Sequence, residues 1–287
     1  MTSIEDARRR YAEAVCATVG VSAGPLLSAF SSVPRERFLG EGPWQIAVPM
    51  DPANPYRPTP DANPEHVYQD VAIAIDPKRL LNNGHPSSHA IWLLAAGPQP
   101  GESVLHVGCA TGYFSAILAE MVGPTGHVTA VEVEPDLASR ARECLSPWPH
   151  VSVLEGDASE VTGEHDVLYV NAGATHPRPS WLSTLREGGR LILPITTHVP
   201  GMPLGVGFVV RIERAAARWP ARFVSPIGIY DCAGARNPAA EPQIRALLGG
   251  AAANKIRAAR TDPHERGPEC LVHVEGFCLQ GGAAPSL

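Results

Sequence analysis

Residues 104–114 read VLHVGCATGYF, and the fold is decided by this stretch. The apolar run Val104, Leu105 and Val107 predicts a short buried strand, and Gly108 and Gly112 bracket small residues ahead of an apolar helix over about 113–121. Strand, turn and helix in that order place backbone without a Cβ where the chain must bend sharply or lie against a ligand. In open α/β sheets that crevice is where nucleotide-like groups sit. An ordinary strand-to-helix turn has the same spelling, so the residues around it have to decide.

Outward from the turn, strands are predicted at 103–107, 127–131, 150–154, 166–170 and 190–193, with helices at 135–145 and 179–186. This alternation predicts an α/β fold with a doubly wound, mostly parallel sheet. Upstream, helices are predicted over 4–19 and 25–30, and VPRERFLG (33–40) forms a short helix or turn anchored by Val33, Phe38 and Leu39. Prolines at 43, 49, 52, 55, 58, 60 and 64 exclude regular helix and central strand from 40–64 and predict a long surface loop. Residues 66–75 (HVYQDVAIAI) read as strand and 89–96 as helix. Downstream, 205–212 and 222–225 predict antiparallel strands at the sheet edge, 240–259 a helix broken at Gly249 and Gly250, and 271–279 a last strand. The chain thus divides into an N-terminal helical region with the Pro-rich loop (1–80), a core (81–230) and a C-terminal extension (231–287).

With 287 residues, 44% of them hydrophobic, a sizeable core can be buried. No apolar run is long enough to span a bilayer, which predicts a cytoplasmic protein without a membrane partner. A net charge of −6, with no basic run beyond Arg8, Arg9 and Arg10, argues against nucleic acid as a partner. The cysteines at 16, 109, 144, 232, 270 and 278 contain no C-x-x-C, which argues against a zinc ribbon or a disulfide framework and predicts free thiols.

Glu132 ends the next strand, in VTAVEVEPDL, 24 residues after Gly108. From there a carboxylate can accept both hydroxyls of a bound ribose, although a solvated acid at a strand end is the plain alternative. EGDA then places Asp157 either as an acceptor for an adenine amino group or in an Asx-type turn. NAGA (171–174) puts small residues at the carboxyl end of the fourth strand. A dinucleotide turn would read G-x-G-x-x-G, with a pyrophosphate on the helix N-terminus. The turn G-C-A-T-G-Y lacks the second glycine and any basic residue, so a nucleoside without phosphates fits better.

Taken in order, VLHVGCATGYFSAILA, VTAVE and EGDAS resemble the motif series of class I S-adenosylmethionine-dependent methyltransferases, which are Rossmann-like. VPRERFL, VYQD, GHPSSHA and DVLYVNAGATHPRPSWLSTLREGGRLILPI are similar to the protein-L-isoaspartate O-methyltransferase family, over roughly 33–229. The resemblance implies S-adenosylmethionine as cofactor and S-adenosylhomocysteine as product, held by Gly108, Cys109, Ala110, Gly112, Glu132, Val133, Gly156, Asp157, Ala158 and Asn171. It implies transfer to a protein or peptide carboxylate, with Ser88 beside the transferring methyl and Asp70 of VYQD shaping the same pocket. The family's glycine-glutamine-threonine-isoleucine-serine-glutamine-proline segment aligns with 84–90, where only Gly84 and Ser88 are kept. The glutamines become His85 and His89, and Pro86, Ser87 and Ala90 replace the rest.

That rewriting favours a dedicated peptide substrate over general repair, and leaves both open. A carboxylate acceptor, with a pKa of about 4, is already ionised at neutral pH, so positioning and exclusion of water suffice without a general base. His85 and His89 are candidates to donate hydrogen bonds to the acceptor, or to act as base on a hydroxyl. A small-molecule methyltransferase and a non-catalytic cofactor-binding partner protein are the alternative readings. The i, i+4 histidines would also share a helical face for a metal, but Pro86 places His85 ahead of the helix and no third ligand is near, so no metal is expected. The extension after about 230 is expected to cap the pocket or mediate self-association.

Overall fold

The computed structural model describes residues 3–48, 51, 53–216, 218–249 and 251–282. In chain order its elements begin with α1 (Ile4–Ala17), α2 (Pro25–Ser32), β1 (Gln45–Ala47), β2 (Tyr56–Pro58), β3 (Ala74–Asp76), β4 (Leu81–Asn82) and α3 (Pro86–Ala96). The alternating region follows as β5 (Ser103–Val107), α4 (Tyr113–Val122), β6 (His127–Glu132), α5 (Pro135–Leu145), β7 (Val151–Glu155), β8 (His165–Val170), α6 (Pro179–Thr184) and β9 (Leu185–Thr197). It ends with β10 (Gly205–Glu213), β11 (Trp219–Ile229), α7 (Glu241–Arg245), β12 (Ile256–Arg260), β13 (Cys270–Val274) and β14 (Phe277–Gly281). Two compact units divide these residues, one drawn from 1–101 and 109–155, the other from 102–108 and 156–287.

In the first unit β6 and β7 pair in parallel, from Val128 opposite Val151 to Glu132 opposite Glu155, and α4 and α5 pack on them. Pro135 starts α5 at a position where no backbone N–H is needed. An aromatic cluster builds the N-terminal core: Tyr11 meets Phe30 edge-on at 6.0 Å, and Tyr113 meets Phe38 at 5.6 Å. Arg35, 0% exposed, lies against the Tyr11 and Tyr113 rings at 5.6 and 5.8 Å. Its guanidinium donates to the carbonyls of Val67, Gln69 and Val71 and to Asn83 Oδ1. Here the strand expected over 66–75 is corrected. Those carbonyls are satisfied by a buried cation instead of a ladder, Pro64 opens a 3-10 turn over Pro64–Val67, and only β3 is strand. The Pro-rich segment is likewise more ordered than a plain loop, since β1 and β2 pair antiparallel; residues 49, 50 and 52 lie outside the described set.

Among the described residues the second unit holds eight strands, in the order β13-β14-β12-β11-β10-β9-β8-β5. β5, β8 and β9 are parallel neighbours, and Val167, Leu168, Tyr169 and Val170 are all fully buried, as strands covered on both faces require. β10 pairs antiparallel with β9 and β11, β12 with β11 and β14, and β13 with β14. The strands expected to close an edge therefore extend the sheet. The helix expected over 240–259 shrinks to α7: Gly249 takes φ +98°, and Ile256, Ala258 and Ala259 are buried in β12 against β14. Strand pairing there overrides the helical preference of alanine. The last strand is in fact a hairpin, β13–β14, turned at Gly276 with φ +74°.

Candidate functional site

At the end of β5 the backbone makes the bend that the glycines predict. Gly108, Ala110 and Gly112 all have positive φ, at +76°, +49° and +94°. In the first unit the Ala110 N–H donates to Glu132 Oε2 at 2.8 Å, and the Glu134 N–H donates to Oε1 at 3.1 Å. Glu132 is only 6% exposed; burial pushes its pKa up, and the N–H groups of Glu134, Ala110 and Val133 pull against that rise. Next to this carboxylate Val133 is 54% exposed, an apolar surface left uncovered beside a buried charge. Gly112 has a different reason to be glycine than ligand approach. A Cβ there would lie 2.7 Å from Leu145 Cδ1, so the bare position admits α5 packing. Cys109 is buried with its thiol pKa raised by burial, and its small side chain rather than its reactivity suits the turn.

The residues of 70–89 also gather within the first unit. Asp70 Oδ1 accepts the Ser87 N–H at 2.9 Å and stands 3.4 Å from His85 Nδ1, which is 3.1 Å from Ser87 Oγ. Together they cap the start of α3, where Pro86 is the first residue. Ser88, half-buried at the third helical position, has no hydrogen-bond partner for its hydroxyl among the described residues. The expectation of an acceptor-facing His89 is revised. Its ring is 2% exposed, stacks on Phe114 at 3.5 Å and 7°, and lies 4.6 Å from Trp92. Gly84 leaves room for it, since a Cβ there would fall 2.4 Å from Nε2. Ser87 and Arg35 escape the sequence reading; the signal for Arg35 is the first of the two arginines of VPRERFL, set among the apolar anchors Val33, Phe38 and Leu39.

In the second unit Asn171 fastens the end of β5, donating its N–H to Val107 O at 2.8 Å and its amide to Gly108 O at 3.4 Å. Asp157 accepts the Ser159 N–H at 2.8 Å and so caps the 3-10 turn Ala158–Glu160, the Asx-type alternative. It also pairs with Arg178 at 2.8 Å, a partner the sequence does not announce. Burial works against the ionised form of Asp157 but is outweighed by Ser159 and Arg178, and its pKa falls below the usual range. Gly234 is bare because a Cβ would meet Arg178 Nη1 at 2.5 Å. Gly156, at φ +132°, faces open space, and Ala158 is buried beside it.

These residues fit a nucleoside-bearing cofactor. A carboxylate offers about four lone-pair sites, and backbone N–H groups take two of those on Glu132, leaving capacity for ribose hydroxyls. Val133 adds apolar surface for a base. A glycine-bent turn after a buried strand, answered by an acid at the end of the next, is the arrangement of class I S-adenosylmethionine-dependent methyltransferases, and the chain is of that class. The chain belongs to the Protein-L-isoaspartate(D-aspartate) O-methyltransferase (PCMT) family, whose profile matches residues 56–201. It is 34% identical to the Aeropyrum pernix protein-L-isoaspartate O-methyltransferase over 198 residues, 67% of this chain and 68% of that one. A solved protein-L-isoaspartate O-methyltransferase superposes with a TM-score of 0.64 over 84% of this chain and 70% of its own, at 22% identity. A Plasmodium falciparum structure described as a β-aspartate methyltransferase, in complex with S-adenosyl-L-homocysteine, gives 0.58 over 78% and 97%, at 16% identity. S-adenosylmethionine is accordingly the cofactor.

Proposed function

We propose that the chain methylates a carboxylate of a protein or peptide, of isoaspartyl or aspartyl type, presented to the start of α3. The observation that carries this reading is Ser88: its hydroxyl is unengaged among the described residues while Asp70, His85 and Ser87 hold one another around it. When bound, the cofactor supplies an electrophilic methyl on a sulfonium. The work left to this chain is positional. Ser88 Oγ donates to one carboxylate oxygen and aims the other, Asp70 fixes the helix start that carries Ser88, and Arg35 fixes the segment that carries Asp70. Glu132 holds the ribose and Asn171 holds the turn. No general base is needed for an ionised acceptor, and the stacking of His89 weighs against the hydroxyl-acceptor reading. Six cysteines outside any disulfide support a reducing, cytoplasmic setting.

The test is to incubate the enzyme with methyl-labelled S-adenosylmethionine and an isoaspartyl peptide beside its aspartyl twin. Base-labile label on either peptide is expected, with isoaspartyl alone supporting repair. Ser88→Ala should lower kcat/KM by roughly 10- to 100-fold, the equivalent of losing one charged hydrogen bond. Label on neither peptide, while S-adenosylhomocysteine still binds, sinks isoaspartyl repair and leaves a dedicated peptide, a small-molecule acceptor or a non-catalytic role.

A further inference from the structure

The β13–β14 hairpin and the loop before it draw together four side chains that the methyl-transfer site does not use. His264, Cys270, His273 and Cys278 present ligand atoms that all lie within 4.8 Å of one another. We propose that they form a structural site for a zinc-class divalent cation, bound by two thiolates and two imidazoles in the part of the chain beyond the family match at 56–201.

Strand geometry explains the gathering. His273 lies opposite Cys278, and Cys270 opposite Gln280, with a register shift between Cys270 and Val272. Residues three apart on a regular strand point to opposite faces. The extra residue of the bulge returns Cys270 to the face of His273 and Cys278. Such re-aiming hides the site from the sequence, where H-x5-C-x2-H-x4-C contains no C-x-x-C, and it revises the expectation that no metal binds.

The surroundings prepare each ligand. His264 Nδ1 lies 2.8 Å from the Asp262 carbonyl, which can only accept, so in the neutral ring the proton sits on Nδ1 and Nε2 is left with its lone pair. That Nε2 is 3.8 Å from Cys270 Sγ. A tetrahedral zinc, with bonds of about 2.3 Å to sulfur and 2.0–2.1 Å to nitrogen, separates its ligands by about 3.3–3.8 Å, so a modest contraction completes the set. Cys270 Sγ accepts the Gly267 N–H at 3.4 Å, a bond that favours thiolate. His273 Nδ1 is buried without a hydrogen-bond partner among the described residues, the state expected of a nitrogen awaiting a ligand. The peptide of His273 is held on both sides by Gln243 of α7, through Oε1 at 2.9 Å and Nε2 at 3.1 Å. Binding forms two metal–sulfur and two metal–nitrogen bonds and releases both thiol protons to solvent. Four protein ligands leave no open position, which makes the site structural.

The full chain, purified without a histidine tag, is to be analysed for metal by mass spectrometry and reconstituted with cobalt(II) under argon. The expected result is about one zinc per chain and a thiolate-to-cobalt charge-transfer band. Cys278→Ser and His264→Gln should each lower retained metal at least roughly tenfold, in line with loss of a direct ligand. Cys144→Ser, far from the hairpin in sequence, should leave stoichiometry unchanged. Metal below about a tenth of an equivalent with no charge-transfer band in the parent chain would overturn the proposal. A Cys270–Cys278 disulfide in the protein isolated without reductant would do the same.

Discussion

Glu132 uses one carboxylate for two purposes: it accepts the Ala110 and Glu134 N–H groups that shape the turn, and it keeps lone pairs for a ribose. Both need the ionised form, which burial disfavours. Protonation therefore begins at higher pH than in a solvated glutamate, and S-adenosylhomocysteine affinity should fall as pH drops toward the upper carboxylate range. For folding alone the raised pKa acts in the opposite sense. The contribution of Glu132 is fully present below its unfolded pKa and is lost as pH rises through the folded one. Glu132→Gln should flatten the affinity profile and weaken binding by about 1.5–3 kcal/mol at neutral pH, measured by calorimetry. Equal affinities for variant and parent at neutral pH would remove Glu132 from the ribose contact.

At the scale of elements, the junction of α4 with α5 gives a paired test. Gly112 and Gly123 flank α4, both at positive φ (+94° and +68°), but a Cβ at Gly112 would meet Leu145 at 2.7 Å whereas one at Gly123 meets nothing within 4 Å. Gly123→Ala should cost only the backbone term, about 1–3 kcal/mol, because φ +68° with ψ −179° lies in a region that is essentially glycine's own. Gly112→Ala adds overpacking, for roughly 2–4 kcal/mol in all. A loss at Gly112→Ala no larger than the left-handed backbone cost alone, about 1–2 kcal/mol by urea unfolding, would mean Leu145 yields freely. The same contrast explains what can be read in advance. The α4–β6–α5 alternation is written in local apolar runs and proline starts, and the predicted and observed bounds of α5 coincide. Residues 66–75 and 240–259 defeat a local reading because distant partners decide them: a buried Arg35 takes the carbonyls of one, and β14 captures the end of the other. At the candidate site, the strand-end place of Glu132 and the Asx-type turn at Asp157 are legible in the sequence, but the Arg178 pairing and the stacking of His89 depend on residues far off in sequence.

On the scale of the molecule, the family match ends at residue 201, yet the second unit continues without a break, as β10 lies hydrogen-bonded between β9 and β11 and the later strands extend the same sheet. The extension is also fastened back to the end of β9 by Glu241 of α7. Its carboxylate accepts the Thr197 hydroxyl and the His198 N–H at 2.9 Å and pairs with Arg236, which itself donates to Thr196 O at 3.1 Å. Burial would raise the pKa of Glu241, but these donors outweigh it and hold the carboxyl below the ordinary glutamate value. A depressed folded pKa contributes stability that is present above the unfolded pKa and lost as pH falls through the folded one. With the side chain 18% exposed, the network should be worth roughly 1–3 kcal/mol near neutrality. Glu241→Gln should lower the unfolding free energy by that amount in urea melts at neutral pH, and the gap should close in acid, where the parent carboxyl is protonated too. Arg236 also pairs with Asp231 at 3.3 Å, so Glu241→Gln leaves the guanidinium a carboxylate partner and the loss belongs to Glu241. A gap that persists unchanged in acid would mean that the charge of Glu241 is irrelevant and that shape alone joins α7 to β9.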